Sequence, residues 1–269
     1  MSKAEHFRAL HQPGNPFILA NAWDVGSALM LQGMGAKAIA TSSAALAFTL
    51  GTRDMGHITR DQALAHAQDL IAVLDVPLSG DFENGFGEDP ETCAETVRMA
   101  AEIGLAGICI EDTALPDEAP YDFDLAVERI RAAASAARAL PGGFFFVARA
   151  DGVLTGQYDM DEAIRRLQAF EAAGADGLYA PAPANPQDLK RICDAVNIPV
   201  NALAAGPSTK LPLSEYAAAG VARVSLGSAL ARATHRMIRD IGVDMLENGD
   251  FSALGKSISG DAVEDLMFK

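Results

Sequence analysis

The sequence has few basic residues for its length and is also poor in aromatic residues. Lys and Arg together number 21 in 269 residues, against 36 Asp and Glu, so the formal net charge at pH 7 is −15. Nucleic-acid binding relies on positive charge that neutralises phosphates, so a protein this acidic is not expected to bind nucleic acid. Aromatic residues make up only 6% of the chain, although 49% of its residues are hydrophobic. That balance favours packed helices and strands over an all-β sandwich.

Cysteine and long apolar segments are scarce as well. The three cysteines, Cys93, Cys109 and Cys193, are far apart and form no C-x-x-C pair. A disulfide framework or a zinc site is therefore not expected, and a reducing compartment fits. Cys109 lies within an apolar run and is predicted to belong to the core. No long uncharged apolar window occurs and the first residues do not resemble a signal peptide, so we expect no membrane segment and a cytoplasmic location.

A repeated pattern, in which a glycine is followed at once by an apolar segment, runs through the chain. Gly35, Gly104, Gly174 and Gly220 each precede such a segment, and the first three lie roughly 70 residues apart. Two units of strand plus helix, each of about 35 residues, fit this spacing. The predicted strands cover 17–21, 36–41, 77–82, 106–111, 144–149, 176–180, 198–203 and 221–226.

The alternation of these strands with helices predicts a single α/β domain. We assign about 15–227 to a (β/α)8 TIM-type barrel and about 228–269 to a C-terminal helical extension. Helix starts support the assignment. Thr59-Arg-Asp-Gln62 is a capping box, and both Asp89-Pro90 and Asn185-Pro186 put a cap residue before a proline at the first helical position.

Charged residues follow three neighbouring predicted strands, and they are the most informative feature of the sequence. They are Asp81 and Glu83 after the third strand, Glu111 and Asp112 after the fourth, and Arg149 and Asp151 after the fifth. In a parallel barrel the carboxyl ends of the strands meet at one mouth, where active sites lie. Clustered carboxylates suit a hard divalent cation, and an arginine beside them suits an anionic substrate. Ion pairs along the rim of the barrel are the alternative that the pattern leaves open.

Two other turns are candidates for binding an anion. The segment Thr41-Ser-Ser-Ala-Ala45 has small residues that let backbone N–H groups approach an anion, although a plain strand-to-helix turn is equally compatible. Gly227 follows the eighth strand, where phosphate is often bound in barrels, so a sugar-phosphate enzyme is a competing hypothesis. Trp23 follows the first strand and can reach the mouth, while Asp24 is explained equally well as a helix N-cap.

These segments resemble the isocitrate lyase/phosphoenolpyruvate mutase superfamily in content and in order. The resemblance extends from Asn21 to Gly227 and covers most of the chain. The matching segments are Asn21-Ala-Trp-Asp-Val-Gly-Ser-Ala28, Ala40-Thr-Ser-Ser43, Asp81-Phe-Glu-Asn-Gly-Phe-Gly87, Ile110-Glu-Asp112 and Ala148-Arg-Ala-Asp151. The resemblance implies an α/β barrel whose C-terminal helix is exchanged between neighbouring subunits, and hence a homodimer or homotetramer.

The resemblance also implies a set of ligands and a chemistry. Asp81, Glu83 and Glu111 match the acids that hold Mg²⁺ in the family, partly through water, with Mn²⁺ as an alternative ion. Asp54, in a turn after the second strand, matches a further acid and is implied as catalytic together with Arg149 and Glu111. The substrate-binding set is Ser42, Ser43, Ala44, Asp81 and Arg149, to which we add Trp23 for its place at the mouth. The family's reactions pass through a metal-stabilised enolate of pyruvate or a similar 2-oxo acid.

The segment after the fourth strand departs from the family pattern. Family lyases carry a Lys-Lys-Cys-Gly-His-type loop whose Cys serves as acid/base, whereas residues 112–122 contain no Cys, His or Lys. Loss of CO2 needs less from this loop than a cleavage in which a base removes an alcohol proton. The leading hypothesis is a Mg²⁺-dependent C–C lyase or decarboxylase acting on a small, oxaloacetate-like 2-oxo mono- or dicarboxylate. The alternatives are a phosphonopyruvate-type P–C mutase or hydrolase, and a protein that binds 2-oxo acids without turnover.

Surplus apolar residues follow the predicted barrel. One cluster, on one face of a predicted helix, comprises Leu230, Met237, Ile238, Ile241 and Met245, and a second comprises Val263, Leu266, Met267 and Phe268. A closed barrel already covers its strands with its own helices, so we expect this surface to pack against another subunit. Docking on the flank of the same barrel is the alternative.

Overall fold

The computed structural model describes residues 1–181 and 186–268, and its centre is a closed barrel of eight parallel strands. The strands are β1 Phe17–Asn21, β2 Ile39–Ala40, β3 Leu78–Asp81, β4 Gly107–Glu111, β5 Phe145–Arg149, β6 Gly177–Tyr179, β7 Val200–Leu203 and β8 Arg223–Ser225. They follow one another round the ring in chain order, and β1 closes it by pairing with β8. The predicted (β/α)8 barrel is therefore confirmed.

Helices surround the barrel and extend beyond it. They are α1 Lys3–Leu10, α2 Val25–Gly33, α3 Ser43–Thr49, α4 Arg60–Ile71, α5 Pro90–Glu102, α6 Phe123–Ala139, α7 Gly152–Thr155, α8 Met160–Ala173, α9 Pro186–Ala195, α10 Leu213–Ala218, α11 Ala229–Asn248 and α12 Gly260–Met267. Short 3-10 helices cover Gly206–Lys210 and Ser252–Lys256, and a small hairpin pairs Thr113–Ala114 with Ala119–Pro120. In the described ranges, no helix combines the length and the apolar character needed to cross a bilayer.

The backbone agrees with the predicted helix-ending glycines and with the predicted cap at Thr59. Gly35, Gly104, Gly174 and Gly220 all have φ between 94° and 103°, the left-handed region that ends a helix at little cost for glycine. Thr59 forms the predicted capping box with Gln62 at the start of α4. Asp24 caps α2 in the same way. Asp89 occupies the N-cap of α5 without a side-chain hydrogen bond, and Asn185 lies outside the described residues.

Most of the strands are shorter than the apolar runs that predicted them, whereas β1 has the predicted bounds. The clearest case is β2, predicted over 36–41 and found only over Ile39–Ala40. Its ladder is limited to the residues that pair on both sides, since Ile39 faces Ala20 on β1 and Leu78 on β3. Residues 36–38 precede the ladder, and of these only Ala38 is buried.

Helix α1 closes the amino-terminal end of the barrel. Phe7 is fully buried, and the ring of the buried His11 stacks on Phe145 with 3.9 Å between ring centroids. His11 Nδ1 lies 2.8 Å from the carbonyl oxygen of Phe7, and its Nε2 lies 3.3 Å from Nη1 of Arg223. Burial, reinforced by the charge of Arg223, lowers the pKa of His11 to about 2. The imidazole is therefore neutral and accepts a hydrogen bond from Arg223.

This buried histidine predicts a sensitivity to acid. Unfolded His11 gains a proton near pH 6.5 and folded His11 only near pH 2, so between these values the unfolded state binds more protons and stability falls as the pH falls. His11→Gln keeps a donor and an acceptor but does not titrate. We expect the variant to lose less stability below pH 6.5, by up to about 1.4 kcal/mol per pH unit. Urea unfolding at pH 7 and pH 5 measures this; parallel losses in both proteins would contradict it.

The C-terminal extension divides into an exposed part and a docked part. In α11 the side chain of Ala231 is buried, whereas Ile238 is 69% exposed and Leu246 is 87% exposed. Helix α12 instead packs on α2 of the same chain, so closely that a Cβ on Gly33 would lie 1.7 Å from the carbonyl oxygen of Leu266. The second predicted apolar cluster thus packs in part on α2 of its own chain, although Phe268 is exposed. In the first cluster Met237 and Ile238 are exposed, whereas Leu230, Ile241 and Met245 are half-buried.

Candidate active site

A cavity of about 610 Å³ opens at the carboxyl ends of the strands. Its lining includes eight of the nine predicted site residues, namely Ser42, Ser43, Ala44, Asp54, Asp81, Glu83, Glu111 and Arg149. They come from β2 to β5 and from the turns that follow these strands. Residues that are far apart in the chain meet here because parallel strands end at the same rim.

Arg149, the last residue of β5, lies at the centre of the acids. Its Nη1 donates to Asp81 at 2.8 Å, its Nη2 lies 3.0 Å from Glu111, and its Nε and Nη2 both donate to Asp151, at 3.1 and 2.5 Å. These contacts pull the pKa of Arg149 well above its ordinary value, although burial acts in the opposite direction. The guanidinium stays charged and holds three carboxylates in one place.

The turn after β2 is tied to the same cluster. Ser42 caps α3, since its hydroxyl accepts a hydrogen bond from the N–H of Ala45. Both the N–H and the hydroxyl of Ser43 donate to the second oxygen of Asp81 at 3.0 Å. The donors predicted to bind an anion are thus occupied by the carboxylate of Asp81. The N–H and hydroxyl of Ser43 are therefore unavailable to another anion while they bind Asp81.

Two acids of the cavity, Glu83 and Asp54, are buried or partly buried but accept few hydrogen bonds. Glu83 is 3% exposed and accepts one backbone hydrogen bond, from Gly56 at 3.1 Å; burial raises its pKa to about 7. Asp54 has a buried Oδ1 with no hydrogen-bond partner, and burial raises the pKa of this carboxyl too. The backbone of Glu83 has a φ of 46°, a conformation that a non-glycine residue rarely adopts without a functional reason. Among residues 1–181 and 186–268, no basic side chain forms an ion pair with either carboxyl group.

The oxygens of this cluster are chemically suited to a hard divalent cation. Mg²⁺ takes oxygen ligands and keeps several waters, and the unpartnered Oδ1 of Asp54 and the underpartnered Glu83 fit that requirement. Within residues 1–181 and 186–268, however, no group of three or more His, Cys, Asp or Glu is arranged around one point as a metal site would be. The reason is that Asp81 and Glu111 are directed at Arg149. The metal site remains a prediction.

A network behind the cavity was not assigned a role from the sequence. Asp112 accepts hydrogen bonds from the N–H of Asp151 at 2.8 Å, from the hydroxyl of Tyr158 at 2.8 Å and from Arg166 at 3.0 Å. Asp112 is 1% exposed and does not line the cavity. It therefore orients Asp151, which in turn holds Arg149. The Asp at the end of β4 is a structural support, a distinction that the pattern of strand-end acids does not make.

The mouth of the cavity is apolar on one side. The hairpin after β4 contributes Leu115, the segment between α3 and α4 contributes Met55, and α7 contributes Leu154. Residues 112–122 contain no Cys, His or Lys, and the side chain that they contribute to the mouth is the aliphatic Leu115. On the opposite side, the N–H groups of Leu226 and Gly227 both donate to the side-chain oxygen of Asn21, at 2.8 and 3.0 Å. These donors are unavailable to a phosphate, which weakens the sugar-phosphate hypothesis.

Trp23 does not line this cavity. It lines a groove on the flank of the barrel with residues of α2, α3 and α4, and its carbonyl oxygen lies 2.9 Å from Nε2 of His66. The cause is the capping box at Asp24, which starts α2 immediately after Trp23 and carries the indole away from the mouth. Its predicted role in substrate binding receives no support from this position.

Polar side chains inside the barrel were missed. Besides the predicted residues, the cavity is lined by Cys109, Tyr179, Asn201, Arg223 and Ser225, which belong to the barrel strands. Cys109 was predicted to belong to the core; it is buried, but its Sγ lies 3.5 Å from Oδ1 of Asp81. The alternation of inward and outward residues along a short strand is the one signal that could have found these residues, and it needs correct strand boundaries.

Comparison with known proteins agrees with this arrangement. Residues 7–246 match the sequence model of the phosphoenolpyruvate phosphomutase family. The chain belongs to the isocitrate lyase/phosphoenolpyruvate mutase superfamily. It is 31% identical over 207 residues to 2-methylisocitrate lyase of Escherichia coli K12, covering 74% of this chain and 69% of that protein. It is 31% identical over 195 residues to oxaloacetate decarboxylase of Paraburkholderia xenovorans LB400, covering 68% of this chain and 62% of that one.

A solved structure extends the similarity to almost the whole chain. A protein from Burkholderia cenocepacia J2315, proposed to be a lyase or mutase, superposes with a TM-score of 0.94 at 43% identity, covering 99% of this chain and 96% of that one. The named relatives in the superfamily are lyases, decarboxylases and mutases, so this superfamily member is an enzyme.

Proposed function

We propose that this superfamily member breaks a C–C bond in a small 2-oxo mono- or dicarboxylate, with an oxaloacetate-like compound as the leading substrate. The observation that carries the proposal is one cavity that is lined both by acids and Arg149 and by the apolar side chains of Met55, Leu115 and Leu154. Similarity to a 2-methylisocitrate lyase and to an oxaloacetate decarboxylase supports the reaction class. Both relatives are named for breaking C–C bonds in carboxylic acids.

A divalent cation, Mg²⁺ or alternatively Mn²⁺, belongs to the proposal. Asp81, Glu83 and Glu111 would hold it, with Asp54 as the nearby acid that lacks a partner. When bound, the cation supplies Lewis acidity toward the oxo and carboxylate oxygens of the substrate. If these acids bind the cation, the N–H groups that Arg149 directs at Asp81 and Glu111 become available, and we assign them to the carboxylate that the substrate retains.

The apolar mouth favours decarboxylation over cleavage of a 3-hydroxy acid. Leu115, Met55 and Leu154 cannot remove the alcohol proton that cleavage of a 3-hydroxy acid requires. Loss of CO2 needs no such base. The electron pair of the broken bond remains on the carbon beside the oxo group, is delocalised onto the oxo oxygen and is then protonated. An apolar surrounding also destabilises the departing carboxylate relative to neutral CO2.

Turnover assays over a panel of 2-oxo acids test this proposal. Oxaloacetate, 2-methylisocitrate and phosphonopyruvate are each incubated with the enzyme in Mg²⁺ or in EDTA, and the products are identified by NMR. We expect the enzyme to convert oxaloacetate to CO2 and pyruvate when Mg²⁺ is present and to form no product in EDTA. Release of phosphate or rearrangement of phosphonopyruvate would instead support P–C chemistry. Tight binding without any product would identify a binding protein.

We further propose that the chain forms a homodimer or homotetramer through α11. The observation that supports this is the exposed face containing Met237, Ile238 and Leu246, which an isolated barrel leaves in water. The helix contacts its own barrel near its start, where the ring of His235 lies 5.8 Å from that of Phe48. We propose that a second subunit packs against the remainder of the helix.

A charge on this face is expected to disrupt assembly. Ile238→Asp sets a carboxylate where another subunit would cover the side chain, so the sedimentation coefficient should fall to that of a smaller species. Asp240→Ala, on the same helix, is the matched control and should leave the assembly unchanged. A form cut after Gly249 tests the last segment separately, because α12 docks on its own α2. A monomeric wild-type protein would refute assembly outright.

A further inference from the structure

A second buried guanidinium lies in the lower part of the same cavity. Arg223 is the first residue of β8, whereas Arg149 is the last residue of β5, so the two arginines lie at different depths in the barrel. Arg223 is 4% exposed and lines the cavity. The interior of such a barrel is ordinarily filled by branched apolar side chains, so a cation at this depth requires an explanation.

The partners of Arg223 are both uncharged. Its Nε donates to Oδ1 of Asn201 at 2.9 Å, and its Nη1 donates to the neutral imidazole of His11 at 3.3 Å. Asn201 is itself fixed, since its Nδ2 donates to Ser225 at 2.9 Å. A guanidinium has five N–H donors, and the remaining ones of Arg223 find no acceptor among the described residues. Two neutral groups therefore orient the guanidinium and leave part of it directed at the cavity.

The other buried arginines of the chain are compensated differently. Arg149 has three carboxylates, and Arg166 has Asp112 and Glu162. Arg129 donates to the backbone carbonyl oxygens of residues 84, 87 and 88. Arg223 has neither a carboxylate nor a carbonyl cluster in the described part of the chain. Burial lowers its pKa to about 10, which still leaves it charged at neutral pH. An unpaired buried cation is costly unless an anion joins it.

Tyr179 lies between the two arginines. The guanidinium carbon of Arg149 is 5.1 Å from the centre of its ring, and the Tyr179 hydroxyl has no hydrogen-bond partner among the described residues. Burial raises the pKa of this hydroxyl, so it remains protonated and can donate a hydrogen bond. The floor of the cavity thus offers a fixed cation and a free hydroxyl donor, opposite a mouth lined by Leu115 and Leu154.

We propose that Arg223 and Tyr179 form an oxyanion subsite on the cavity floor, which binds a carboxylate that the substrate retains and leaves the departing group facing the apolar mouth. The proposal rests on the proposed function only for the statement that one group of the substrate departs. Binding of a carboxylate by Arg223 and Tyr179 does not depend on it. A carboxylate paired with a guanidinium is stabilised as an anion, so it is a poor candidate for loss as CO2. The polarity of the two ends of the cavity therefore orients the substrate.

Binding measurements on Arg223→Met test the subsite. Calorimetry in Mg²⁺ with oxalate and with pyruvate, neither of which needs to react, should show affinities reduced by about 30-fold or more. Tyr179→Phe, which removes one hydroxyl, should reduce them by about 5-fold. Arg131→Met is the matched control, because Arg131 is exposed on α6, pairs with Glu128 and does not line the cavity; its affinities should change by less than about 3-fold.

The thermal midpoint separates binding from a structural role. Arg223→Met removes a buried charge that has no ion-pair partner, but it also leaves Oδ1 of Asn201 and Nε2 of His11 without their donor, so the two effects offset and the midpoint should change little. A lower midpoint with wild-type affinity would mean that Arg223 only supports His11 and Asn201, and the subsite would be refuted. Wild-type protein that binds neither anion refutes it as well. If Arg223→Met does not fold, the affinity of Tyr179→Phe tests the subsite, and wild-type affinity in that variant would refute it. Wild-type protein that binds oxalate but turns over no 2-oxo acid refutes the proposed function and leaves the subsite intact.

Discussion

Replacing Asp81 with Ala is expected to abolish metal-dependent turnover while the protein stays folded. Asp81 ends β3, and its oxygens contact Arg149 at 2.8 Å and Ser43 at 3.0 Å. In the variant Arg149 retains its ion pairs with Glu111 and Asp151, so no buried charge loses its last partner. We expect kcat/KM to fall on the order of 1000-fold, and Mg²⁺ affinity measured by calorimetry to fall with it.

An acid at the other end of the same segment provides the control. Asp75 is exposed and precedes β3, so Asp75→Ala should leave both turnover and metal affinity unchanged. Wild-type protein whose ligand affinity is the same in excess EDTA would contradict the metal site itself. Asp81→Ala with unchanged Mg²⁺ affinity would contradict only the assignment of Asp81, and Glu83 and Glu111 would then be tested in the same way.

Arg149→Lys is expected to have the second largest effect, on activity and on stability together. Lysine keeps the charge but loses the two parallel N–H groups that bind Asp151 and the reach to Asp81 and Glu111. We expect kcat/KM to fall about 100-fold and the free energy of unfolding to fall by about 2 kcal/mol. Steady-state kinetics and urea unfolding measure the two quantities.

A buried arginine outside the cavity separates these two effects. Arg166 is ion-paired with Asp112 and Glu162 and does not line the cavity. Arg166→Lys should therefore lower stability by a similar amount while kcat/KM changes less than about 5-fold. Equal losses of activity in the two variants would show that Arg149 acts through folding alone. Wild-type affinity of Arg149→Lys for every 2-oxo acid would exclude it from substrate binding.

Much of the barrel was predictable because its signals are local. A glycine that ends a helix, a following apolar run and a capping box each depend on neighbouring residues only, and Gly104 and Thr59 behave as predicted. Strand ends were less predictable, because a ladder needs partners on both sides. β2 shrinks to Ile39–Ala40 for that reason. Trp23 lies in a groove beside α2 and not in the cavity, which its position just after β1 does not indicate.

The rim of the site was also visible in the sequence. An apolar run that stops at Asp81, Glu111 or Arg149 gives the position of each charge on the rim, since parallel strands all end at one face. What each charge does was not visible. Glu111 and Asp112 are adjacent in the chain, yet one faces Arg149 in the cavity and the other is buried behind it under Tyr158. Successive strand residues point to opposite faces, and only the closed barrel determines which face is inside.

The sequence by itself determined the architecture, the acid-rich mouth and the loss of an acid/base from the loop after β4, because these follow from residue type and order. The tertiary structure alone decided that Arg149 pairs with three acids, that Leu115 lies at the mouth and that Arg223 lies unpaired on the floor. Pairing depends on distances between side chains on strands that are remote in the chain. Those distances exist only once β8 has closed the ring against β1.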